Sequence, residues 1–326
     1  MQAIRVNNFG GPEVLHLETT PVPTLETDTQ VLVEIRAVGV NPVDTYIRAG
    51  TYGRLPTLPY TPGVDGAGVV TAIGAAVTDL RVGDRVYGGW PLTGTYAQFA
   101  LYDRPWVYPL ASHLSFEQGA CLFVPYSTAY RALFEKARAQ PGDRVLIHGA
   151  TGAVGLAAVQ LALAAGLTVI GTGGSPAGRE LVAQQGDVLV LDHHSPTYPT
   201  DLMRATAGEG VTIIVEMLAN LNLSQDLTWL SPAGRVVVVG SRGEVTIDPR
   251  HILSRESWVT GVNLFSTPPE TLHRIQKALY AGLINRSLCP ILSHSLPLEA
   301  AAQAHQQVLS AGAQGNRVLL PAPLEL

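Results

Sequence analysis

The 326-residue chain has only two cysteines, Cys121 and Cys289, and no Cys-x-x-Cys spacing. Two thiols cannot staple a chain of this length, so a disulfide scaffold is excluded, and a reduced, cytoplasmic setting fits the cysteine usage. Charge is scarce as well: charged residues make up 14%, against about 25% in an average soluble domain. Lysine occurs only as Lys136 and Lys277, so any recognition of phosphate falls to arginine and backbone amides. The net charge of −5 gives no attraction to nucleic acid or to an anionic membrane. The opening Met1-Gln-Ala-Ile-Arg-Val-Asn-Asn lacks the charged-then-apolar pattern of a signal peptide. The longest apolar stretch, Leu156 to Thr172, is broken by Gln160 and Gly166 and reads as a buried helix followed by a strand, not a membrane span. Neither a membrane nor a nucleic-acid partner is expected.

Apolar material is abundant, at 46%, enough for a large core, and the length suits two domains of about 150 residues each. Residues 1–124 are rich in glycine and proline and carry short β-type runs. Gln30-Val-Leu-Val-Glu-Ile-Arg alternates apolar and polar, the mark of a half-buried strand; Gly66 to Gly74 and Gly83 to Gly88 read as strands bounded by glycine turns. Near Pro125 the pattern changes. Six short apolar runs start at Asp143, Thr168, Asp187, Val211, Arg235 and Trp258, and helical stretches separate most of them. This alternation describes an α/β domain with a parallel sheet covered on both faces, over residues 125–264. Residues 265–326 hold a helix from Pro269 to Gly282, a second near Leu298 to Ala311 and a strand at Arg317-Val-Leu-Leu. That segment is too short for a domain and is expected to complete the first one.

The main chemical signal is His148-Gly149-Ala150-Thr151-Gly152-Ala153-Val154-Gly155, spaced G-x-x-G-x-x-G between the first strand of the alternating region and its first helix. Glycine permits the tight turn and lets a pyrophosphate come close, and the free amides of the helix N-terminus then face the anion. A plain turn has the same composition; the strand before it, the helix after it and the five later strands favour nucleotide binding. A site for NAD places a carboxylate about 20 residues on, to hold the ribose 2′-hydroxyl. Here the second strand ends in Gly174, Ser175 and Arg179 with no acid, which favours NADPH, since arginine can hold a 2′-phosphate. An ordinary solvated arginine is the alternative for Arg179. No G-x-S-x-G, H-E-x-x-H or G-x-x-x-x-G-K-[ST] occurs, and no cluster of metal-ligand residues is visible along the chain.

Longer segments carry a resemblance. Phe9-Gly-Gly-Pro-Glu-Val-Leu, Val40-Asn-Pro-Val-Asp-Thr-Tyr-Ile-Arg-Ala-Gly-Thr-Tyr, Leu58-Pro-Tyr-Thr-Pro-Gly, Pro125-Tyr-Ser-Thr-Ala-Tyr-Arg-Ala-Leu, the glycine turn, Val215-Glu-Met-Leu-Ala-Asn-Leu-Asn-Leu-Ser and Val237-Val-Val-Gly-Ser-Arg-Gly together resemble the medium-chain dehydrogenase/reductase superfamily. Within it the chain is similar to the zinc-free quinone reductases of the zeta-crystallin type. The resemblance implies a GroES-like β-barrel domain beside a Rossmann-type domain with a doubly wound parallel sheet, and an active site in the cleft between them. Zinc-dependent relatives bind metal through a cysteine and a Gly-His-Glu segment; the matching positions here read Asn41 and Gly63-Val64-Asp65, so no metal is expected. The resemblance also implies coenzyme contacts: Tyr46 and Thr128 with the nicotinamide half; Gly149, Thr151, Gly152, Ala153 and Val154 with the pyrophosphate; Gly174, Ser175 and His193 with the adenosine end. Asn222, Val239, Gly240, Ser241 and Arg242 would line the groove, and Val262, Asn263 and Leu264 would close over the nicotinamide. Arg317 stands near the place where relatives carry Gly-Lys.

The activity implied is reduction of a quinone by NADPH without a metal. A planar, electrophilic quinone needs stacking and a hydrogen bond to the carbonyl where negative charge develops. Asn41, Tyr46 and Tyr52 are the candidates for those contacts, with turn and core-edge roles as their alternatives. No histidine or acid stands out as a proton donor, which leaves water to protonate the product. Two rivals stay open: reduction of the activated C=C bond of enals or enones, and a low-turnover nucleotide-binding structural or RNA-binding protein. The sixth strand, from Trp258 to Leu264, is expected at a sheet edge, where pairing with its twin would make a homodimer.

Overall fold

The computed structural model describes residues 1–310, 312 and 314–323. The chain forms two compact units, one of Met1–Val124 with Pro290–Leu326 and one of Pro125–Cys289. The return to the first unit therefore starts at Pro290, not at residue 265. The reason is the helix Pro269–Ile284, whose buried Leu272, Ile275, Leu279 and Leu283 belong with the second unit. Ala311, the far end of the second helix expected from the sequence, lies outside the described residues.

In the first unit, β1 (Gln2–Val6) and β2 (Leu15–Thr19) form an antiparallel pair. β3 (Gln30–Val40) leads into α1 (Pro42–Arg48), then β4 (Asp65–Ile73), β5 (Arg85–Gly88), β6 (Phe99–Asp103) and β7 (Val107–Pro109) follow. β3 is antiparallel to both β4 and β6. Its alternating sequence suggests one wet face, yet every residue of it is buried except Glu34 and Arg36. Packing accounts for this: Val31, Val33, Ile35 and Val38 enter one apolar cluster with Ile4, Tyr96, Tyr102 and Leu319, while Leu32 enters another with Phe99 and Leu101. Two short helices, α2 (Phe116–Gly119) and α3 (Phe123–Tyr130), carry the chain into the second unit.

The second unit alternates as its sequence does. β8 (Arg144–Ile147) is followed by α4 (Ala153–Ala164), β9 (Thr168–Thr172), α5 (Pro176–Ala183), β10 (Val188–Leu191) and α6 (Tyr198–Ala205). Then come β11 (Val211–Glu216), α7 (Ala219–Trp229), β12 (Leu230–Val238), α8 (Pro249–Arg255), β13 (Trp258–Gly261) and α9 (Pro269–Ile284). The sheet is parallel throughout, in the order β10-β9-β8-β11-β12-β13. The chain first winds outward from β8, then reverses and winds the other way from β11. Such a sheet opens a crevice at the carboxyl ends of the two strands flanking the reversal. β8 and β11 are those strands, and both are largely buried because other elements cover both faces, with Glu216 the buried acid at the carboxyl end of β11. The edge strands differ: Leu189 on β10 and Trp258 and Val259 on β13 are exposed. β13 is also shorter than expected, since Leu264 already belongs to a separate helical turn.

The last segment supplies β14 (Leu292–Pro297), α10 (Ala301–Val308) and β15 (Asn316–Leu320) to the first unit. β15 pairs antiparallel with β3 and parallel with β14. No described helix is long and apolar enough to cross a membrane.

Leu146 on β8 is fully buried against Ile214, Leu227 and Val236 in the second unit's core. Leu146→Ala is expected to cost about 3 kcal/mol through lost packing and a residual cavity. Leu253→Ala, at a side chain 78% exposed, is expected to stay within about 0.5 kcal/mol. Urea unfolding followed by tryptophan fluorescence measures both.

Candidate active site

The carboxyl end of β8 runs directly into the glycine turn. Gly149 takes a positive φ of 55°, a conformation glycine adopts without a Cβ penalty. Its amide donates to Thr172 Oγ1 at 3.1 Å, and the Ala150 amide to the Thr172 carbonyl at 3.0 Å. The end of β9 thereby holds the turn. Gly152 caps α4, and the Leu156 amide is bonded to its carbonyl at 2.9 Å. The amides of Ala153, Val154 and Gly155 precede that first helical bond, so no intrahelical partner exists for them. A Cβ on Gly155 would lie 2.2 Å from the Gly149 carbonyl oxygen and 2.7 Å from Ala150 Cα, so only glycine lets α4 approach the turn so closely. A Cβ on Gly152 would meet nothing nearer than 3.6 Å. The result is an open cradle rimmed by backbone donors at the N-terminus of a 12-residue helix, the geometry that takes a pyrophosphate.

Beside it, Thr151 Cγ2 stands 2.9 Å from where a Cβ would sit on Gly173 or on Gly178. The second strand's end thus joins the same site. Ser175 caps α5 by accepting from the Gly178 amide at 3.1 Å. His193 and His194 both lie against Gly174, within 3.1 Å of a Cβ position there. Arg179 is not simply solvated: its Nη1 donates to the Gly173 carbonyl at 3.1 Å and pairs with Asp192 at 2.9 Å. Asp192 lies beyond β10 (Val188–Leu191), so the neighbouring strand, not the end of the second one, delivers an acid to this end of the site. The His194 amide, and then Arg179 and the histidines, hold the Asp192 carboxyl below the usual range.

The other wall comes from β11 and β12. The Val239 amide donates to the Glu216 carbonyl at 2.8 Å, the Ala219 amide to the Gly240 carbonyl at 2.9 Å and the Arg242 amide to Asn220 Oδ1 at 2.9 Å. Val239, Gly240, Ser241 and Arg242 are thereby linked to the end of β11 and the start of α7, and Asn222 on α7 joins them by donating to Glu216 Oε1 at 3.1 Å. Asn263 accepts from the Phe265 amide through Oδ1 at 3.0 Å and from Arg131 through its carbonyl at 2.7 Å. Val262 is tied to the Val238 carbonyl at 3.0 Å. Thr128 and Leu264 are buried.

Sequence reasoning missed a cluster behind the turn. His148 Nε2 lies 2.8 Å from Asp226 Oδ1 and 3.4 Å from Glu216 Oε2, with both carboxyls fully buried. His148 and Asp226 are 78 residues apart, so no local spacing betrays the pair. Only the placement of β11 beside β8 brings the three together.

In the first unit, Asn41 heads α1. Its amide N–H donates to Asp44 Oδ2 at 2.8 Å, and its side-chain Nδ2 to Asp65 Oδ2 at 3.0 Å. The other Asp65 oxygen accepts from the Val124 amide at 3.0 Å. A zinc ion does not fit this donor set. Asn41 presents an N–H where a ligand needs a lone pair, and both Asp65 oxygens already accept hydrogen bonds. The buried Asn41 is thus a structural link as well as a candidate contact. Asp44 also accepts from the Tyr96 hydroxyl at 3.4 Å, and that hydroxyl lies 3.0 Å from His305 Nε2. Burial pushes the Asp44 carboxyl up to about 7 and the His305 ring down to about 3. Tyr46 and Tyr52 are half-buried, on α1 and just beyond it, and burial raises the Tyr52 phenol. β15 sets Arg317 opposite Val40, so Arg317 joins the Asn41 end of β3, and burial lowers its guanidinium from the ordinary range.

A doubly wound sheet with a glycine cradle, joined to a β unit, defines a nucleotide-binding dehydrogenase/reductase of the medium-chain superfamily. Residues 153–279 match the family model described as zinc-binding dehydrogenase, and residues 27–112 that of the alcohol dehydrogenase GroES-like domain. Rat quinone oxidoreductase is 47% identical over 321 residues, covering 98% of both chains. The structure of Escherichia coli quinone oxidoreductase complexed with NADPH aligns with a TM-score of 0.88 at 28% identity, over 98% of this chain and 100% of that one. The enoyl reductase CurK aligns with a TM-score of 0.89 at 25% identity, over 98% and 99%. The chain belongs to the quinone oxidoreductases of the zeta-crystallin type.

Gly155→Ala is expected to cost about 2 kcal/mol, since backbone must shift to admit the methyl group. Gly152→Ala, at an ordinary φ of −80°, is expected to change stability by less than about 0.5 kcal/mol. Chemical denaturation of the two variants compares them.

Proposed function

We propose that the chain is an NADPH-dependent quinone oxidoreductase. The observation that carries this reading is the backbone cradle at Gly149–Gly155, in a chain of this family. Gly149, Thr151, Gly152, Ala153 and Val154 would hold the pyrophosphate by their amides and by the absence of side-chain bulk. Gly174, Ser175, Arg179 and His193 would take the adenosine end, with the Arg179 guanidinium supplying the positive charge for a 2′-phosphate. Asn222, Val239, Gly240, Ser241 and Arg242 would line the groove, and Thr128, Val262, Asn263 and Leu264 would flank the nicotinamide. Bound NADPH supplies a hydride equivalent to an acceptor conjugated with a carbonyl.

On the substrate side, Tyr46 and Tyr52 carry phenols that can donate to a carbonyl oxygen as charge builds on it. Burial keeps the Tyr52 phenol protonated, and so able to donate, through neutral pH. Asn41 acts chiefly by fixing α1 and hence Tyr46, because its amide is engaged with Asp65. Arg317 adds a positive group to the same region.

The likeness to an enoyl reductase supports a second reading, reduction of activated C=C bonds, since both acceptors take hydride conjugate to a carbonyl. Steady-state NADPH oxidation with 1,2- and 1,4-quinones beside 2-alkenals and enones decides between them. Turnover is expected with quinones, and turnover confined to the alkenals or enones would reverse the assignment. No turnover with any acceptor would favour a nucleotide-binding structural role. Arg179→Ala is expected to lower kcat/KM for NADPH roughly tenfold while leaving that for NADH within about twofold, the weight of one charge-assisted contact.

A homodimer and a cytoplasmic setting belong to the same proposal. β13 is an edge strand with Trp258 42% and Val259 36% exposed, and pairing it with its twin across a two-fold axis would cover both. Neither cysteine is joined in a disulfide, in keeping with a reducing compartment. Light scattering at micromolar concentration is expected to give twice the chain mass; a monomeric mass would refute the dimer.

A further inference from the structure

Two carboxyls and one imidazole meet behind the glycine turn. The nearest donor atoms of His148, Glu216 and Asp226 all lie within 4.8 Å of one another, and all three residues are buried. Each other contact in the cluster is accounted for. Glu216 Oε1 accepts from the Leu218 amide and from Asn222 Nδ2, the latter at 3.1 Å. Trp229 stacks on the imidazole with ring centroids 6.4 Å apart. The Tyr198 phenol on α6 and His193 beyond β10 face the same charges across the packing. Among the described residues, no arginine or lysine pairs with either carboxyl.

Two oxygens are left over. Glu216 Oε2 and Asp226 Oδ2 are buried and accept no hydrogen bond. Two ionised carboxylates facing each other at this range with a single imidazole between them leave one negative charge uncompensated in a medium of low dielectric. One proton between them resolves the problem: protonated Glu216 donates from Oε2 to the Asp226 carboxylate, while His148 Nε2–H donates to Asp226 Oδ1. The cluster is then a cation, an anion and a neutral acid, with no net charge.

Its position gives it a task. His148 is covalently joined to Gly149 at the start of the cradle. Glu216 binds the Leu218 and Asn222 nitrogens through its side chain and the Val239 amide through its carbonyl. One buried cluster therefore ties together the turn, the loop after β11 and the loop after β12. We propose that His148, Glu216 and Asp226 form a positioning unit that shares one proton and sets how tightly the Gly149–Gly155 turn holds an anionic coenzyme. The inference rests on the coenzyme reading of that turn.

Burial, opposed by His148 and reinforced by Asp226, pushes the Glu216 carboxyl up to about 7. Burial opposes charge on His148, but Asp226 and then Glu216 outweigh it and raise the ring from its ordinary value. Rising pH through about 7 therefore strips the Glu216 proton. The cluster gains one negative charge directly behind an anion site, and coenzyme affinity falls. By linkage, coenzyme binding near neutrality draws a proton onto Glu216.

The test is calorimetric titration of the full-length protein with NADPH at pH 6.5 and pH 8.5, in buffers of differing ionisation enthalpy. The wild type is expected to bind roughly fivefold more weakly at pH 8.5 and to take up protons near pH 7. Glu216→Gln keeps the shape and presents N–H to Asp226, so it mimics the protonated acid. Relative to this variant, in which titration of the coenzyme phosphate persists and Glu216 cannot titrate, the wild type is expected to show the extra loss of affinity and the extra proton uptake. Equal pH dependence and equal proton uptake in the two proteins would overturn the inference while leaving the coenzyme site standing. Wild-type affinity that does not fall between pH 6.5 and 8.5 would overturn it without recourse to any variant. Absence of binding at every pH would instead remove the coenzyme reading and the inference with it. One equivalent of divalent metal retained through dialysis, by elemental analysis, would overturn the shared proton, since the cation would then occupy the orphan oxygens.

Discussion

The close approach of α4 to the turn that precedes it is the constraint on which the second unit's chemistry hangs. With Gly155 bearing no side chain, the helix starts almost in contact with the Gly149 carbonyl. Its first amides are then presented at the mouth of the crevice where the sheet reverses direction. Thr172 secures the turn from one side, through both its hydroxyl and its carbonyl. Glu216 and its neighbours secure the loops on the other side. An anion-binding site made of backbone has no charge of its own to spare, so its strength depends on how well these supports hold the amides in place. That suits a chain with only two lysines.

Much of this architecture was legible in the sequence because short apolar runs separated by helical stretches admit few arrangements. The glycine spacing, the helix from Ala153 and the six strands of the second unit all follow from local periodicity. The alternation along β3 implies a half-wet strand, yet both of its faces are packed. The sequence alone puts the returning segment's start at residue 265, and the structure puts it at Pro290, because α9 looks like any amphipathic helix. Nothing in its own sequence says which unit it packs against.

The site was legible in proportion to how local it is. The turn residues and the loop 239–242 lie in continuous motifs. Asp192 reaches Arg179 from the end of a different strand, and the His148–Glu216–Asp226 cluster draws on β8, β11 and α7. Such groupings are products of strand order, and strand order is not written in spacing. Asn41 illustrates the converse: its identity suggested a substrate contact, while its surroundings commit its amide to Asp65 and its backbone to Asp44. Among buried polar residues, the question of what each donor and acceptor touches separates scaffold from chemistry.

The first unit is stitched from two ends of the chain, because β15 lies against β3 across almost the whole intervening sequence. A ribosome delivers the entire second unit before the last strand of the first emerges. The continuous unit can close on itself while the discontinuous one still exposes one flank of β3. The order of birth along the chain thus places the unit with the glycine turn early and the completed first unit last, and it makes β14, α10 and β15 the keystone of the unit that begins at Met1.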